Sequence, residues 1–235
     1  EQMYGVTIDV DKEIAIVEKA ISLLKPCICD AVEFLQTSLQ SKRKILVEGA
    51  QGALLDLDHG TYPFVTSSAT TMSAALHYLG LPPQSLTSCI GVMKAYCTRV
   101  GSGPFPMEAQ EDRANTLRNR GGEFGSVTGR PRRCGWLSLP DIERSIAMNG
   151  VTHINLTKLD VLDGETSIPL CVSMNEGKPV TKEIPGWSGG TTANCTNIDA
   201  LPKEAQEFIS TIERQLHCPL AYIGTGPERA HMIER

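Results

Sequence analysis

Helical stretches of about 10–15 residues alternate along this chain with short apolar runs, and that alternation argues for an α/β fold: a mostly parallel sheet with helices on both faces. Residues 11–39 carry Ile14, Ile16, Val17, Ala20 and Ile21 at helical spacing, with a break expected near Pro26. Residues 44–48 read as a buried strand. Residues 70–79 read as a short helix ended by Gly80 and the Pro82-Pro83 pair. A strand is expected within 89–100, then a rigid loop over 101–106 and a polar helix over 108–120. Residues 121–135 form a glycine- and arginine-rich loop. Pro140 suits a first helical position, and residues 141–148 follow as helix, stopped by Asn149-Gly150. Strands are expected over 153–158 and 168–173, and irregular chain over 178–197. Residues 202–216 form an amphipathic helix with Ala205, Phe208, Ile209, Ile212 and Leu216 inward. Residues 220–223 read as the last strand, followed by Gly224-Thr225-Gly226-Pro227. No internal repeat or low-complexity linker interrupts the pattern, so residues 1–235 are read as a single domain.

The net charge of -5 disfavours a long nucleic-acid face. No apolar run reaches membrane-spanning length, and no signal-peptide pattern is present. The eight cysteines have irregular spacing, with no C-x-x-C and no paired Cys/His spacing for zinc. They read as free thiols of a reducing, cytoplasmic compartment. The histidines read as structural, or as having no evident partner.

Four stretches carry chemistry. Residues 46–68, LVEGAQGALLDLDHGTYPFVTSS, run from an apolar start through a glycine-punctuated turn bearing Gln51 to the hydroxyls Thr66, Ser67 and Ser68. Ligands of open α/β sheets sit at such strand ends. Residues 155–160, NLTKLD, place Lys158 and Asp160 two apart after a strand. A carboxylate there can accept from guanine N1–H and the exocyclic amine, a donor pair that adenine lacks. The lysine stem can lie along the base plane. A surface Lys-x-Asp pair is the bland alternative. Gly224-Thr225-Gly226 would let backbone approach a flat ligand closely, or is an ordinary turn. Residues 125–136 hold Arg130, Arg132 and Arg133 with two hydroxyls, an anion clamp by composition.

Taken together and in order, VEGAQGALLDLDHGTYPFVTSS, KAYCTRVGSGPFP, TGRPRRCGW, NLTKLDVLDG and GTGPER resemble adenylosuccinate synthetase. The resemblance implies a P-loop-NTPase-like fold and a ligase of purine biosynthesis that is cytoplasmic and homodimeric. In that reaction GTP phosphorylates the 6-oxygen of IMP, and L-aspartate then displaces the phosphate, giving adenylosuccinate, GDP and phosphate. By resemblance, Gln51 contacts the 6-oxygen region and supports charge there, and Thr66 holds the IMP phosphate. Val100 and Gly101 line the ribose. Ser126, Val127, Thr128, Gly129, Arg130, Pro131 and Arg132 form the loop that receives aspartate, with Arg130 also reaching the ribose. Arg132, Lys158, Leu159 and Asp160 serve GTP, with Gly224, Thr225 and Gly226 opposite.

The resemblance covers the C-terminal half or so of the family. No G-x-x-x-x-G-K occurs in these 235 residues, which open on Glu1-Gln2-Met3-Tyr4 like the middle of a protein. The family's phosphate-loop aspartate base, its histidine acid and its Mg²⁺ ligands therefore match nothing in this chain. Smaller departures are Val127 in place of threonine, Ala69 in place of asparagine, and a shortened stretch over 172–186. These 235 residues alone are expected to show no turnover. The alternative is a non-catalytic remnant that binds nucleotide or a subunit.

Overall fold

The computed structural model describes Gly5, residues 7–193 and residues 195–235. Among them the helices in chain order are α1 (Val10–Leu24), α2 (Ala31–Gln40), α3 (Met72–Tyr78), α4 (Glu111–Gly121), α5 (Leu139–Asn149) and α6 (Lys203–Leu216). The strands are β1 (Ile90–Lys94), β2 (Cys97–Arg99), β3 (Arg133–Gly135), β4 (His153–Thr157), β5 (Ser167–Asn175), β6 (Lys178–Pro185), β7 (Leu220–Gly224) and β8 (Met232–Glu234). Two compact units divide the chain.

The first unit comprises Glu1–Val47 and Leu76–Ser85. Asp9 caps α1 by accepting from the Lys12 N–H, and Asp30 caps α2 by accepting from Val32 and Glu33. Between them Pro26, which has no N–H to donate, sits in a single 3-10 turn, so the helix breaks where expected. The periodicity of α1 does not translate into burial: none of its residues is buried. The strand expected over 44–48 does not form, and Leu46 is 91% exposed. A strand exists only through its ladder partner, and no described segment pairs with this one.

The second unit comprises Glu48–Ala75 and Leu86–Arg235. Its main sheet has the order β1-β4-β7-β8, the first three parallel and β8 antiparallel to β7. Thus the chain is mixed α/β with a mainly parallel sheet. Ile154 and Leu156 of β4, Leu220 and Ile223 of β7, and Ala205, Phe208, Ile209, Ile212 and Leu216 of α6 are all buried in one core. The five inward positions read from the α6 pattern are all correct. α5 starts with Pro140 in its first turn and stops at Gly150, whose φ of 61° suits glycine.

Three expectations need correction. The strand over 89–100 is two strands, because Ala95 and Tyr96 turn into the core between β1 and β2. Residues 178–185, expected to be irregular, form β6 in a hairpin with β5. Its tight turn is made by Glu176 and Gly177, with φ of 50° and 77°. β6 pairs on one side only, so Pro179 and Pro185 remove no second ladder. β7 is not last, because β8 adds at its edge after a turn closed by His231.

Candidate functional site

The parallel sheet delivers the carboxyl ends of its strands to one place, where α/β sheets bind ligands. Lys94 ends β1, Lys158 and Asp160 follow β4, and Gly224-Thr225-Gly226 closes β7. Lys158 lies in the left-handed region, φ 60°, and turns the chain into a 3-10 turn over Leu159–Leu162. That turn buries the Leu159 side chain in the core, so only its backbone can meet a ligand. It leaves Asp160 half-buried, with Oδ1 shut from water and lacking any hydrogen-bond partner in the described structure. Burial pushes the Asp160 carboxyl above its ordinary range, with Asp163 adding to the rise.

The glycine turn lies against the same strand end. A Cβ on Gly224 would sit 3.4 Å from the Thr157 Cα, and one on Gly226 would sit 2.5 Å from His231 Nδ1. Glycine is needed at Gly226 for that close approach. Thr225 is buried, and its hydroxyl donates to the Cys195 carbonyl at 3.0 Å. Its side chain therefore builds the turn rather than facing outward.

The arginine loop is more internally committed than its composition implies. Among the described residues, Arg132 and Arg133 pair with carboxylates and Arg130 does not. Arg133 forms two bonds to Glu108, at 2.7 and 2.5 Å, and also donates to the Gly103 carbonyl. Arg132 donates to Glu123 Oε2 at 2.7 Å, while its Nε is buried without a partner. The loop itself is tight. Gly125 N–H donates to the Arg130 carbonyl, and Gly129 N–H to the Gly125 carbonyl. Ser126, Val127, Thr128, Gly129, Arg130 and Pro131 are exposed, with Val127 at 94%.

Gln51 and Thr66 come together directly. Gln51 Nε2 donates to Thr66 Oγ1 at 2.9 Å, and Ser68 Oγ donates to Gln51 Oε1 at 3.3 Å. Gln51 has a φ of 66°, an uncommon setting for a non-glycine residue. Val100 and Gly101 are exposed beside Arg99. Arg99 donates to the Ser102 carbonyl, to Thr61 Oγ1 and to the Phe64 carbonyl, tying 101–103 to the stretch that ends in Thr66.

Hydrogen bonds join Gln51 to Thr66, Arg99 to Thr61 and Phe64, Arg133 to Gly103, and Arg132 to Lys158 through Glu123. The chain matches the adenylosuccinate synthetase family profile over residues 1–233. It belongs to the adenylosuccinate synthetase family. It is 43% identical to adenylosuccinate synthetase of Schizosaccharomyces pombe over 242 residues, which cover 96% of this chain and 56% of the relative. The Wolinella succinogenes synthetase is 43% identical over 226 residues, 90% of this chain and 54% of the relative. A fully ligated adenylosuccinate synthetase from Plasmodium falciparum superposes with a TM-score of 0.91 at 38% identity, covering 98% of this chain and 59% of that one. A cyanophage S-2L succinoaminodeoxyadenylate synthetase, at 23% identity and a TM-score of 0.58, shares the fold. The chain spans about half the length of the curated relatives it matches.

The sequence reading missed two buried acids. Asp56 accepts backbone N–H bonds from Thr70 at 2.6 Å, His59 at 2.9 Å and Asp58 at 3.0 Å. The Thr70 bond foremost holds its carboxyl below the ordinary range, against the opposing effect of burial. It closes the loop that presents Gln51 and Thr66. Glu123 is fully buried and accepts from Tyr96 Oη at 2.6 Å, Lys158 Nζ at 2.8 Å and Lys94 Nζ at 2.9 Å on Oε1, besides Arg132 on Oε2. Burial alone would raise its pKa, but the bonds from Lys158, Tyr96, Lys94 and Arg132 outweigh it and bring it down to about 2. The available signal was an acid set directly after Gly121-Gly122 and before a run of cations.

Proposed function

We propose that this chain carries the IMP-, aspartate- and guanine-binding part of an adenylosuccinate synthetase, with L-aspartate, IMP and GTP as substrates. The observation that carries the reading is Asp160, whose buried Oδ1 has no donor among the described residues at the joined ends of β4 and β7. Guanine N1–H and the exocyclic amine would supply the missing donors, whereas adenine N1 would present an acceptor to an acceptor. The Gly224 to Gly226 turn forms the opposite wall, and the Lys158 stem lies along the base.

In this reading the IMP 6-oxygen attacks the γ-phosphorus of GTP, and GDP leaves. The aspartate amine then attacks C6, and phosphate departs with the former 6-oxygen. Gln51 donates toward that oxygen, Thr66 binds the IMP phosphate, and Val100 and Gly101 border the ribose. Ser126 to Arg132 receive aspartate, with Thr128, Arg130 and Arg132 supplying donors. Among the described residues no three His, Cys, Asp or Glu side chains gather as a metal site. The roles given are those of the protein's own groups. A homodimer and a cytoplasmic setting belong to the same proposal. No described helix is long and apolar enough to cross a membrane.

The test is calorimetry of the chain with GDP, ADP and IMP. The expected result is heat with GDP and with IMP and none with ADP. Equal binding of ADP and GDP would overturn the guanine assignment. Turnover is not expected from these 235 residues, and adenylosuccinate formation by the purified chain would refute that.

A further inference from the structure

We propose that Glu123 is a positioning residue that sets the aspartate-loop arginine and the guanine-pocket lysine with one carboxylate. The inference rests on the function proposed above for Arg132 and Lys158. The local sequence explains how the acid reaches that place. α4 ends at Gly121, and Gly122 caps it in the left-handed region at φ 60°. A Cβ on Gly121 would lie 2.0 Å from the Tyr96 hydroxyl. Only a side-chain-free turn lets the chain drop Glu123 directly beneath the strand ends.

The carboxylate is fully buried, while the side chains of Lys94, Arg132 and Lys158 are 27%, 32% and 36% exposed. It therefore holds three cations from below and leaves their outer faces accessible. Its two oxygens divide the work. Oε2 takes Arg132, and Oε1 takes Lys158, Lys94 and Tyr96. The backbone repeats the link, since Arg132 N–H donates to the Glu123 carbonyl at 3.0 Å. Arg118 Nε adds a bond to the Arg132 carbonyl at 2.9 Å. Lys158 is also fixed by the Gly121 carbonyl at 2.6 Å, and Lys94 by Thr98 at 2.5 Å. One negative charge among three positive ones leaves a surplus of two, so the cluster stays attractive to anions after it is ordered. A carboxylate serving only to neutralise a lysine would not need to bridge two separate ligand loops.

The test uses the full chain and compares Glu123→Gln with Tyr96→Phe, which removes a neutral donor from the same oxygen and touches neither ligand loop. GDP affinity is read alone, and L-aspartate affinity in the presence of GDP. Glu123→Gln is expected to weaken both by about tenfold, the scale of one charge-assisted bond. Tyr96→Phe is expected to lower thermal stability and leave both affinities within about twofold, below the scale of a single hydrogen bond. Unchanged affinities in folded Glu123→Gln, or equal losses in both variants, would overturn the inference. If Glu123→Gln does not fold, Lys158→Met is read instead for aspartate, with GDP raised until it saturates the variant. A weaker aspartate affinity supports coupling through Glu123, and an unchanged one overturns it. If the parent chain gives no heat with GDP, the guanine reading itself falls and the inference falls with it. A parent that binds while its variants match it sinks the inference alone.

Discussion

The proposed guanine end and the proposed IMP end of the candidate site are built on opposite terms. At the guanine end Asp160 holds a buried carboxylate oxygen with no donor, on a turn anchored by the parallel sheet. At the IMP end Gln51 is exposed, and its amide is already matched by Thr66 and Ser68. A ligand at the first end supplies a missing bond and removes a standing penalty. At the second it must exchange existing bonds for its own, so the net gain per contact is smaller. Preorganisation therefore differs between the two ends, and substitutions at them should differ in size.

The largest effect is expected at Glu123, which holds Arg132 and Lys158 on one carboxylate. Its folded-state pKa is about 2, against 4.5 for an ordinary glutamate. A depressed carboxylate stabilises fully above the ordinary value, and that contribution is lost as pH falls through the folded value. The shift corresponds to on the order of 3 kcal/mol lost between about pH 4.5 and pH 2. Urea unfolding of the parent and of Glu123→Gln across that range isolates the term. The gap between them should narrow steadily with acid. A gap that is constant from pH 5 to pH 2.5 would show that the carboxylate's charge is not what holds the cluster.

At the guanine end, Asp160→Asn should weaken GDP binding by about a hundredfold, the loss of two bonds to a charged acceptor. The same variant should gain affinity for xanthosine diphosphate. Xanthine carries a carbonyl where guanine carries its amine, and an asparagine Nδ2 can donate to it. Loss of both nucleotides would point to damage rather than to altered recognition. Because burial raises the Asp160 pKa, parent GDP affinity should also fall on acidification earlier than an ordinary aspartate would require.

That contrast bears on what the amino-acid order discloses. The placing of Asp160 and of the Gly224 turn at strand ends was legible because each signal is local: an apolar strand followed at once by an acid or by glycine. α6 was legible because its five buried residues follow one helical face. The segment over 44–48 misled because a strand needs a partner, and apolar alternation says nothing about whether one is present. β6 was missed because Pro179 and Pro185 read as breakers, although a strand paired on one side tolerates both. Glu123 was missed because attention to three arginines treated them as a free clamp. In the fold, the neighbouring acids Glu108 and Glu123 hold two of them.

At the IMP end, Gln51→Ala should leave stability within about 0.5 kcal/mol, because the side chain is exposed and its bonds are to other exposed groups. IMP affinity should fall by about tenfold, less than the guanine-end change. Calorimetry with IMP beside thermal unfolding separates the two readouts. A loss as large as that of Asp160→Asn would break the comparison, since it would mean that the self-satisfied end is as preorganised as the orphaned one.

The smallest effect belongs to Val127, at the tip of the tight 125–130 turn. With 94% of its surface exposed it packs against nothing, so Val127→Thr should not change the unfolding midpoint. A threonine there adds one hydroxyl facing the proposed aspartate site. The gain from one hydrogen bond on an exposed loop is at most about 1 kcal/mol, or roughly fivefold in L-aspartate affinity. The loop's own bonds, from Gly125 to Arg130 and from Gly129 to Gly125, set its shape without the residue-127 side chain. The substitution thus changes donor count and not geometry. Titration of parent and variant with L-aspartate in the presence of GDP reads the difference. A gain well beyond fivefold would mean that the loop tip, and not the Arg132–Glu123 pair at its base, governs aspartate recognition.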